Sequence, residues 1–165
     1  MNRLLLGFCC VLMLGTVSCN QRSIPEPQMI LMEQALPMGA FKTAVMDAVQ
    51  GMLFPSESDF PFGWFESNLK ILPEASRFAS HVGKKGEVAQ KMALDVFFQR
   101  YTRIEPWMDE GQVQFAHQMQ NLQRIYQNSS KKLAVYRVGT VQVHIYIVTV
   151  VQGRVVGLHT ISIET

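Results

Sequence analysis

The sequence predicts an α+β domain, a three-layer α/β/α sandwich built around a mostly antiparallel sheet. The last third of the 165-residue chain is rich in Val, Ile, Thr and Tyr, and two turn segments divide it into three strands. Apolar residues occupy both faces of the middle strand, so the sheet needs cover on both sides. Helical patterns precede these strands, and we expect those helices to provide the cover.

Three segments before the strands have the apolar periodicity of amphipathic helices. The first follows Pro37, and Gly51 is expected to end it. Its apolar positions are Phe41, Val45, Ala48, Val49 and Met52. The second is short and is capped by Asp95. Its apolar positions are Val96, Phe97, Phe98 and Tyr101.

The longest predicted helix runs from Asp109 to Gln127, with its acidic residues in the first turn, where the helix dipole favours them. Its apolar stripe is Phe115, Met119, Leu122 and Tyr126.

The strands are predicted as an antiparallel meander over Leu133 to Val138, Val141 to Val151 and Arg154 to Ile163. Turns are expected at Gly139-Thr140 and around Gln152-Gly153. One face of the middle strand carries Val141, Val143, Ile145 and Ile147, and the other carries Tyr146, Val148 and Val150.

The chain between the first two helices has a less regular pattern. Leu53 to Phe62 places a short acidic, hydroxyl-rich segment between prolines and aromatics, which predicts a fixed loop. From Gly63 to Ala93 the pattern is compatible with short strands. The apolar positions there are Trp64, Phe65, Leu69, Ile71, Phe78 and Val82. Lys84-Lys85-Gly86 is interpreted as a solvated hairpin tip.

The first residues have the layout of an export signal, since one arginine precedes a short apolar run. That run is too short for a permanent membrane span, which needs about 20 residues. Gly15 to Cys19 resembles a bacterial lipobox, although Thr16 replaces the usual leucine. We expect a signal peptide over 1–18, lipidation at Cys19, a proline-containing tether over 19–28 and one domain over 29–165. The protein would then be an exported, membrane-anchored lipoprotein of the periplasm or outer membrane; an ordinary signal peptide is the alternative.

Composition limits the classes of function. The chain is 48% hydrophobic and 17% charged, which argues against disorder, and its formal net charge of +2 gives no strong long-range field. Direct nucleic-acid binding through bulk electrostatics is therefore not expected. The three cysteines all lie at or before position 19, so a mature domain has none for a disulfide.

The sequence contains no pattern typical of an enzyme active site. The histidines are scattered, and the sequence has no His-Glu-x-x-His, paired-cysteine or glycine-rich phosphate motif. His144 and His159 lie on predicted paired strands, so a weak metal site is one interpretation and ordinary strand histidines the favoured one. Ser56, Ser58 and Asp59 lack a nucleophile turn and are interpreted as loop residues that bond to their own backbone. We therefore expect no catalytic residues and no cofactor.

Two acidic loops remain as candidate binding elements: Ser56 to Asp59, and Glu105 to Glu110. The second contains Trp107, a large aromatic in a polar, proline-bounded segment. An aromatic anchor beside carboxylates is typical of a protein-binding hot spot. Alternatively, Trp107 packs beneath its own loop. The sequence pattern supports the two interpretations equally.

Gly51 to Phe62 resembles the signature of the nuclease A inhibitor family, in which a helix end precedes Leu-Phe-x-Ser-Glu-Ser-acidic-aromatic-Pro-Phe. The similarity continues in Phe97-Phe98-x-Arg100, in Trp107 and in Val135 to Gly139. It ends in Ile161 to Thr165, with poor agreement between Trp64 and Ala93. The resemblance implies an α/β/α sandwich and one-to-one inhibition of a sugar-nonspecific endonuclease that uses magnesium.

The resemblance also implies which residues contact the nuclease. Glu57 would pair with basic groups, Thr165 would reach the nuclease's catalytic metal, and Glu105 and Trp107 would contact the enzyme. This chain has Glu105-Pro106 where the family has Gln-Asp, which bears on partner specificity. The alternative is an envelope binding module with the same scaffold and a non-nuclease partner, because fold does not fix function.

Overall fold

The computed structural model describes residues 36–165. The predicted signal peptide, the lipidation site at Cys19 and the tether therefore lie outside the described residues. Among the helices of the described part, none combines the length and apolar character that crossing a membrane requires.

The described chain alternates helices and strands before a closing meander. The helices are α1 (Met38–Ala48), α2 (Ala75–His81), α3 (Leu94–Gln99) and α4 (Glu110–Ser129). The strands are β1 (Leu53–Phe54), β2 (Phe60–Pro61), β3 (Gly63–Ser67), β4 (Ala89–Met92), β5 (Leu133–Val138), β6 (Gln142–Val151) and β7 (Arg154–Ile163). The main sheet has the order β3-β7-β6-β5-β4 with antiparallel pairings, and β1 and β2 form a separate hairpin. The predicted α+β class with a mostly antiparallel sheet is confirmed.

The closing meander follows the sequence prediction closely. β5 and β7 have the predicted bounds, and β6 begins one residue later than expected. The β6–β7 turn consists of Gln152 and Gly153, whose φ angles of 47° and 71° are both positive. A two-residue hairpin turn of this kind matches the twist of the strands it joins. The turn thereby fixes the long β6–β7 register, from Val151 opposite Arg154 to Gln142 opposite Ile163.

Each face of the sheet has its own hydrophobic cluster, because β6 alternates apolar residues between its two sides. Val143, Ile145 and Ile147 belong to the first cluster, together with residues of α1, α3 and α4. Tyr146 and Val148 belong to the second, together with Phe78 and Ala79 of α2. The two-sided burial predicted for β6 is confirmed, except that Val141 lies outside the strand and is 59% exposed.

Close packing of α4 on the sheet depends on a glycine. The buried Tyr126 hydroxyl donates to the Ile147 carbonyl at 2.7 Å, directly beside Gly157. A Cβ at Gly157 would lie 2.0 Å from that carbonyl oxygen and 2.8 Å from the Tyr126 hydroxyl. Both distances are far shorter than van der Waals contact, so only glycine lets the helix, β6 and β7 approach this closely.

Three local predictions are wrong. Phe78 lies in α2 rather than in a strand, and its ring stacks on Tyr136 at 3.9 Å between centroids. Lys84-Lys85-Gly86 does form the predicted turn, closed by a hydrogen bond from the Glu87 amide to the Lys84 carbonyl at 3.2 Å, but this turn joins α2 to β4 and is not a hairpin tip. Asp95 does not cap α3, whose N-cap is Ala93. The Asp95 carboxylate instead accepts hydrogen bonds from the Gln123 and Gln127 side chains of α4, a tertiary role that local sequence does not reveal.

Candidate functional site

The predicted acidic loop around Glu57 is the tip of a hairpin, because Leu53 pairs with Pro61 and Phe54 with Phe60. Phe54 is fully buried and anchors this hairpin. Its ring contacts those of Phe62, Phe97 and Tyr101, with centroids 5.9, 6.2 and 5.1 Å away. The loop is thus supported from below by aromatic side chains of α3 and of the chain that follows it.

Side chains within the loop hold its backbone. The Ser56 hydroxyl donates to the Ser58 carbonyl at 2.5 Å, and the Ser56 amide donates to the Asp59 carboxylate at 3.4 Å. The prediction that side chains of this loop bond to its own backbone is confirmed for Ser56 and Asp59. Glu57 is left exposed at the tip, where its carboxylate can meet another molecule.

Strand β7 fastens the hairpin from the other end of the chain. The buried Thr160 hydroxyl donates to the Pro61 carbonyl at 3.1 Å. Beyond the end of β7, the Thr165 hydroxyl donates to the Glu57 carboxylate. The structure therefore brings together two of the predicted site residues, Glu57 and Thr165, which are 108 positions apart in sequence.

Glu105 and Trp107 belong to the chain that connects α3 to α4. The Met108 amide donates to the Glu105 carbonyl at 3.1 Å, which closes a turn with Pro106 and Trp107 at its centre. Glu105 forms an ion pair with Arg103. The Trp107 side chain is 72% exposed, so packing beneath its own loop is not what the tryptophan does.

A groove of about 490 Å³ lies between the base of the hairpin and the chain that connects α3 to α4. Leu53 and Pro55 of the hairpin form one wall, and residues of the α3–α4 connection form much of the other. Those connection residues are Arg100, Tyr101, Arg103, Met108 and Asp109. Glu57 lies two residues after Pro55, and Trp107 directly precedes Met108, but neither side chain lines the groove. Among the described residues, Glu57 is hydrogen-bonded to Thr165 and has no hydrogen bond to Glu105 or Trp107.

An ion pair lies beside this site and was not predicted. Arg137 of β5 donates from Nη2 to both carboxylate oxygens of Glu164, at 2.6 and 2.5 Å. The charges of this ion pair also act on the phenol of Tyr101. Burial raises the pKa of Tyr101, and the positive charges of Arg100 and then Arg137 act in the opposite direction. A charged residue within the otherwise apolar β5 pattern was the signal that could have identified Arg137.

The predicted approach of His144 and His159 is confirmed, with His144 Nδ1 3.0 Å from His159 Nε2 and the rings nearly parallel. Burial lowers the pKa of His144, and the charge of Lys84 adds to this. Burial, followed by His144 and Lys84, lowers the pKa of His159 to about 4. Within residues 36–165, no group of three or more His, Cys, Asp or Glu side chains is arranged to hold a metal ion.

The chain was also compared with known proteins. A family model described as "Nuclease A inhibitor-like protein" matches residues 40–165, which is most of the sequence and includes both acidic loops. No curated protein matches the chain.

Proposed function

Because the chain belongs to the nuclease A inhibitor-like family, we propose that it is a protein inhibitor that binds and blocks the active site of a sugar-nonspecific, magnesium-dependent nuclease. The observation that carries this proposal is the hydrogen bond from Thr165 to Glu57. It unites, on one surface, two residues for which the family resemblance implies nuclease contacts. The exposed Trp107 is next in sequence to Met108, which lines the adjoining groove opposite the hairpin residues.

The chemistry of such a nuclease explains why these residue types suit an inhibitor. An enzyme that ignores base sequence grips phosphates with positive side chains and a hard divalent cation. A carboxylate can occupy a phosphate position, and a hydroxyl oxygen can be a ligand for the cation. Glu57 supplies the carboxylate, and the Thr165 hydroxyl supplies an oxygen directly beside it.

The two acidic residues are not equivalent in this proposal. Glu57 is exposed, and its partner in the free protein is a neutral hydroxyl. Glu105 already forms an ion pair with Arg103, so part of its charge is neutralised before any partner arrives. We therefore assign the main phosphate-like contact to Glu57, a secondary contact to Glu105 and the apolar anchor to Trp107.

The proposal includes two further statements. The two hydrophobic clusters support a three-layer arrangement, with α1, α3 and α4 on one face of the sheet and α2 on the other. The export signal and lipobox-like segment support an envelope lipoprotein anchored through Cys19. Labelling of growing cells with radioactive palmitate tests the anchor: label should enter the wild-type chain and be absent from Cys19→Ser.

The inhibition is tested by titrating the purified chain into a sugar-nonspecific, magnesium-dependent nuclease from the same organism while measuring DNA cleavage. We expect activity to fall to zero at one equivalent. Glu57→Lys should weaken inhibition about 100-fold or more, because a positive charge would meet the basic groups of the cleft. Thr165→Val should also weaken it by removing the oxygen ligand.

Glu74→Lys is the matched control, since Glu74 is an exposed carboxylate at the start of α2 that pairs with Lys91 of β4. It should inhibit like the wild type. Full potency in both Glu57→Lys and Thr165→Val would refute the assigned contacts. A wild-type chain that blocks no such nuclease, but captures an unrelated envelope protein, would favour the alternative binding module.

A further inference from the structure

The Arg137–Glu164 pair is an unusual feature of this sheet. Arg137 lies on β5 two residues after Val135, so alternation directs its side chain to the same face as the first hydrophobic cluster. Its side chain is 20% exposed and that of Glu164 is 39% exposed. An apolar residue would pack at this position without removing a charge from water, so stability alone does not account for the arginine.

Glu164 is held from three directions. Besides Arg137, the buried Ser162 hydroxyl donates to its carboxylate at 3.0 Å. Its backbone amide donates to the Val141 carbonyl at 2.8 Å, which extends the β6–β7 pairing by one bond beyond the end of β7. The next residue is Thr165, whose hydroxyl meets Glu57. The residue before the proposed metal ligand is therefore fixed through both its backbone and its side chain.

We propose that Arg137 is a positioning residue for inhibition: its two bonds to Glu164 set where Thr165 is presented to the metal of the nuclease. This inference rests on the proposed function. One guanidinium nitrogen of Arg137 meets both carboxylate oxygens of Glu164, and such a charge-assisted contact is short and strong. It therefore restricts rotation of the chain segment from which Thr165 projects.

The ion pair with Arg137 also keeps the Glu164 carboxylate from binding the metal of the nuclease. Glu164 is adjacent in sequence to Thr165, and an unpaired carboxylate there would compete with the threonine oxygen for a hard cation. Arg137 and Ser162 occupy both of its oxygens. Among residues 36–165, the acidic side chain that Thr165 meets through a hydrogen bond is Glu57, which is the carboxylate proposed to contact the nuclease.

Three variants of Arg137 and its partner separate positioning from general stability. Arg137→Met keeps the length of the side chain and removes the charge, Arg137→Lys keeps the charge, and Glu164→Gln removes the charge on the other side. Arg77→Met is the control, because Arg77 is an exposed residue of α2. Thermal unfolding verifies that each variant is folded; if Arg137→Met does not fold, Glu164→Gln takes its place.

We expect Arg137→Met to weaken inhibition of the nuclease by about tenfold or more, since a bond to a charged group is lost. Arg137→Lys should recover part of this loss, and Arg77→Met should lose nothing. The decisive readout is a double-mutant cycle with Thr165→Val. If Arg137 acts through Thr165, the two losses will not add; a merely structural role would give additive losses.

Amide hydrogen exchange in the free protein provides a readout that does not depend on the nuclease. Exchange at Glu164 should accelerate about tenfold or more in Arg137→Met, since the bond to Val141 is no longer supported, while Ile145 and Ile147 keep their protection. If the wild-type chain inhibits and Arg137→Met is equally potent, the positioning role is overturned and the proposed function stands. The same holds if the losses of Arg137→Met and Thr165→Val add. A wild-type chain that inhibits no nuclease overturns the proposed function and this inference with it.

Discussion

The two loops that border the groove are held in different ways. The hairpin tip with Glu57 is fixed by residues about one hundred positions away, namely Thr160 and Thr165, and by the buried ring of Phe54. The turn with Trp107 is closed by a bond between its own ends, from Met108 to Glu105. Glu57 therefore depends on the tertiary structure, whereas the Trp107 turn is a local structure whose large side chain is free to adapt. The first loop is suited to placing a charge accurately, and the second to filling an apolar recess.

The largest expected effect comes from removing the anchor of the hairpin. Phe54→Ala should lower the free energy of unfolding by about 4 kcal/mol, because it leaves a cavity among Phe62, Phe97 and Tyr101. Urea unfolding followed by fluorescence measures the loss. Truncation of the exposed Leu53 next to it should cost far less. Equal losses in the two variants would mean that the hairpin is not anchored through Phe54.

Trp107→Ala should weaken binding to the nuclease and leave the stability of the fold unchanged. We expect unchanged thermal stability, because the side chain is 72% exposed, together with a loss of about 2 kcal/mol in binding to the nuclease. Isothermal titration calorimetry against the nuclease measures the binding loss. Ile71→Ala is the control, since Ile71 is a similarly exposed apolar residue at 64%. A Trp107→Ala variant that binds like Ile71→Ala would remove Trp107 from the interface.

A third region, the histidine pair, should respond to pH. The pKa of His159 is about 4 in the folded protein against 6.5 unfolded, so the unfolded state binds more protons between these values. Stability is then full above pH 6.5 and falls as the pH drops toward 4. Partial exposure reduces the effect, and we expect a loss on the order of 1 kcal/mol between pH 7 and pH 5.

Unfolding by urea at the two pH values measures this dependence, and His159→Gln should make it smaller. The bond between Thr165 and Glu57 involves neither histidine, so inhibition at pH 7 should be the same in this variant. An undiminished pH dependence in His159→Gln would show that other groups cause it.

The smallest expected effect concerns the hydrogen bond that attaches the hairpin to β7. Thr160→Val keeps the shape of a buried residue and removes its bond to the Pro61 carbonyl, which should cost about 1 kcal/mol of stability. Inhibition should weaken slightly as well, because the hairpin that carries Glu57 is less firmly attached to β7. Wild-type stability in this variant would mean that Thr160 does not fasten the hairpin.

Sequence reasoning succeeded where a local pattern decides the structure. The alternation in β6 predicted two buried faces, and the stripe on α4 predicted the buried Met119, Leu122 and Tyr126. It failed for Phe78, where a seven-residue helix is too short to establish a clear period. It also failed for Asp95, because the glutamines that bind it lie on another helix.

The same distinction applies to the site. No periodicity relates Glu57 to Thr165, since their contact is made by folding across 108 positions; only the resemblance to a family connected them. The exposure of Trp107 could not be decided from its pattern, because a tryptophan in a proline-containing turn has two equally suitable environments. Arg137 was overlooked because its partner Glu164 is recognisable only once β5 and the end of β7 are placed in one sheet.

The most direct test of the account is hydrogen exchange of the whole chain with and without a stoichiometric amount of the magnesium-dependent nuclease. A single inhibitory surface predicts simultaneous protection of residues 55–59, 103–109 and 164–165, with no change at the turn from Lys84 to Val88. Protection confined to one of these loops, or located instead on α2 and the Lys84 turn, would contradict the claim that Glu57, Trp107 and Thr165 enter one enzyme cleft together.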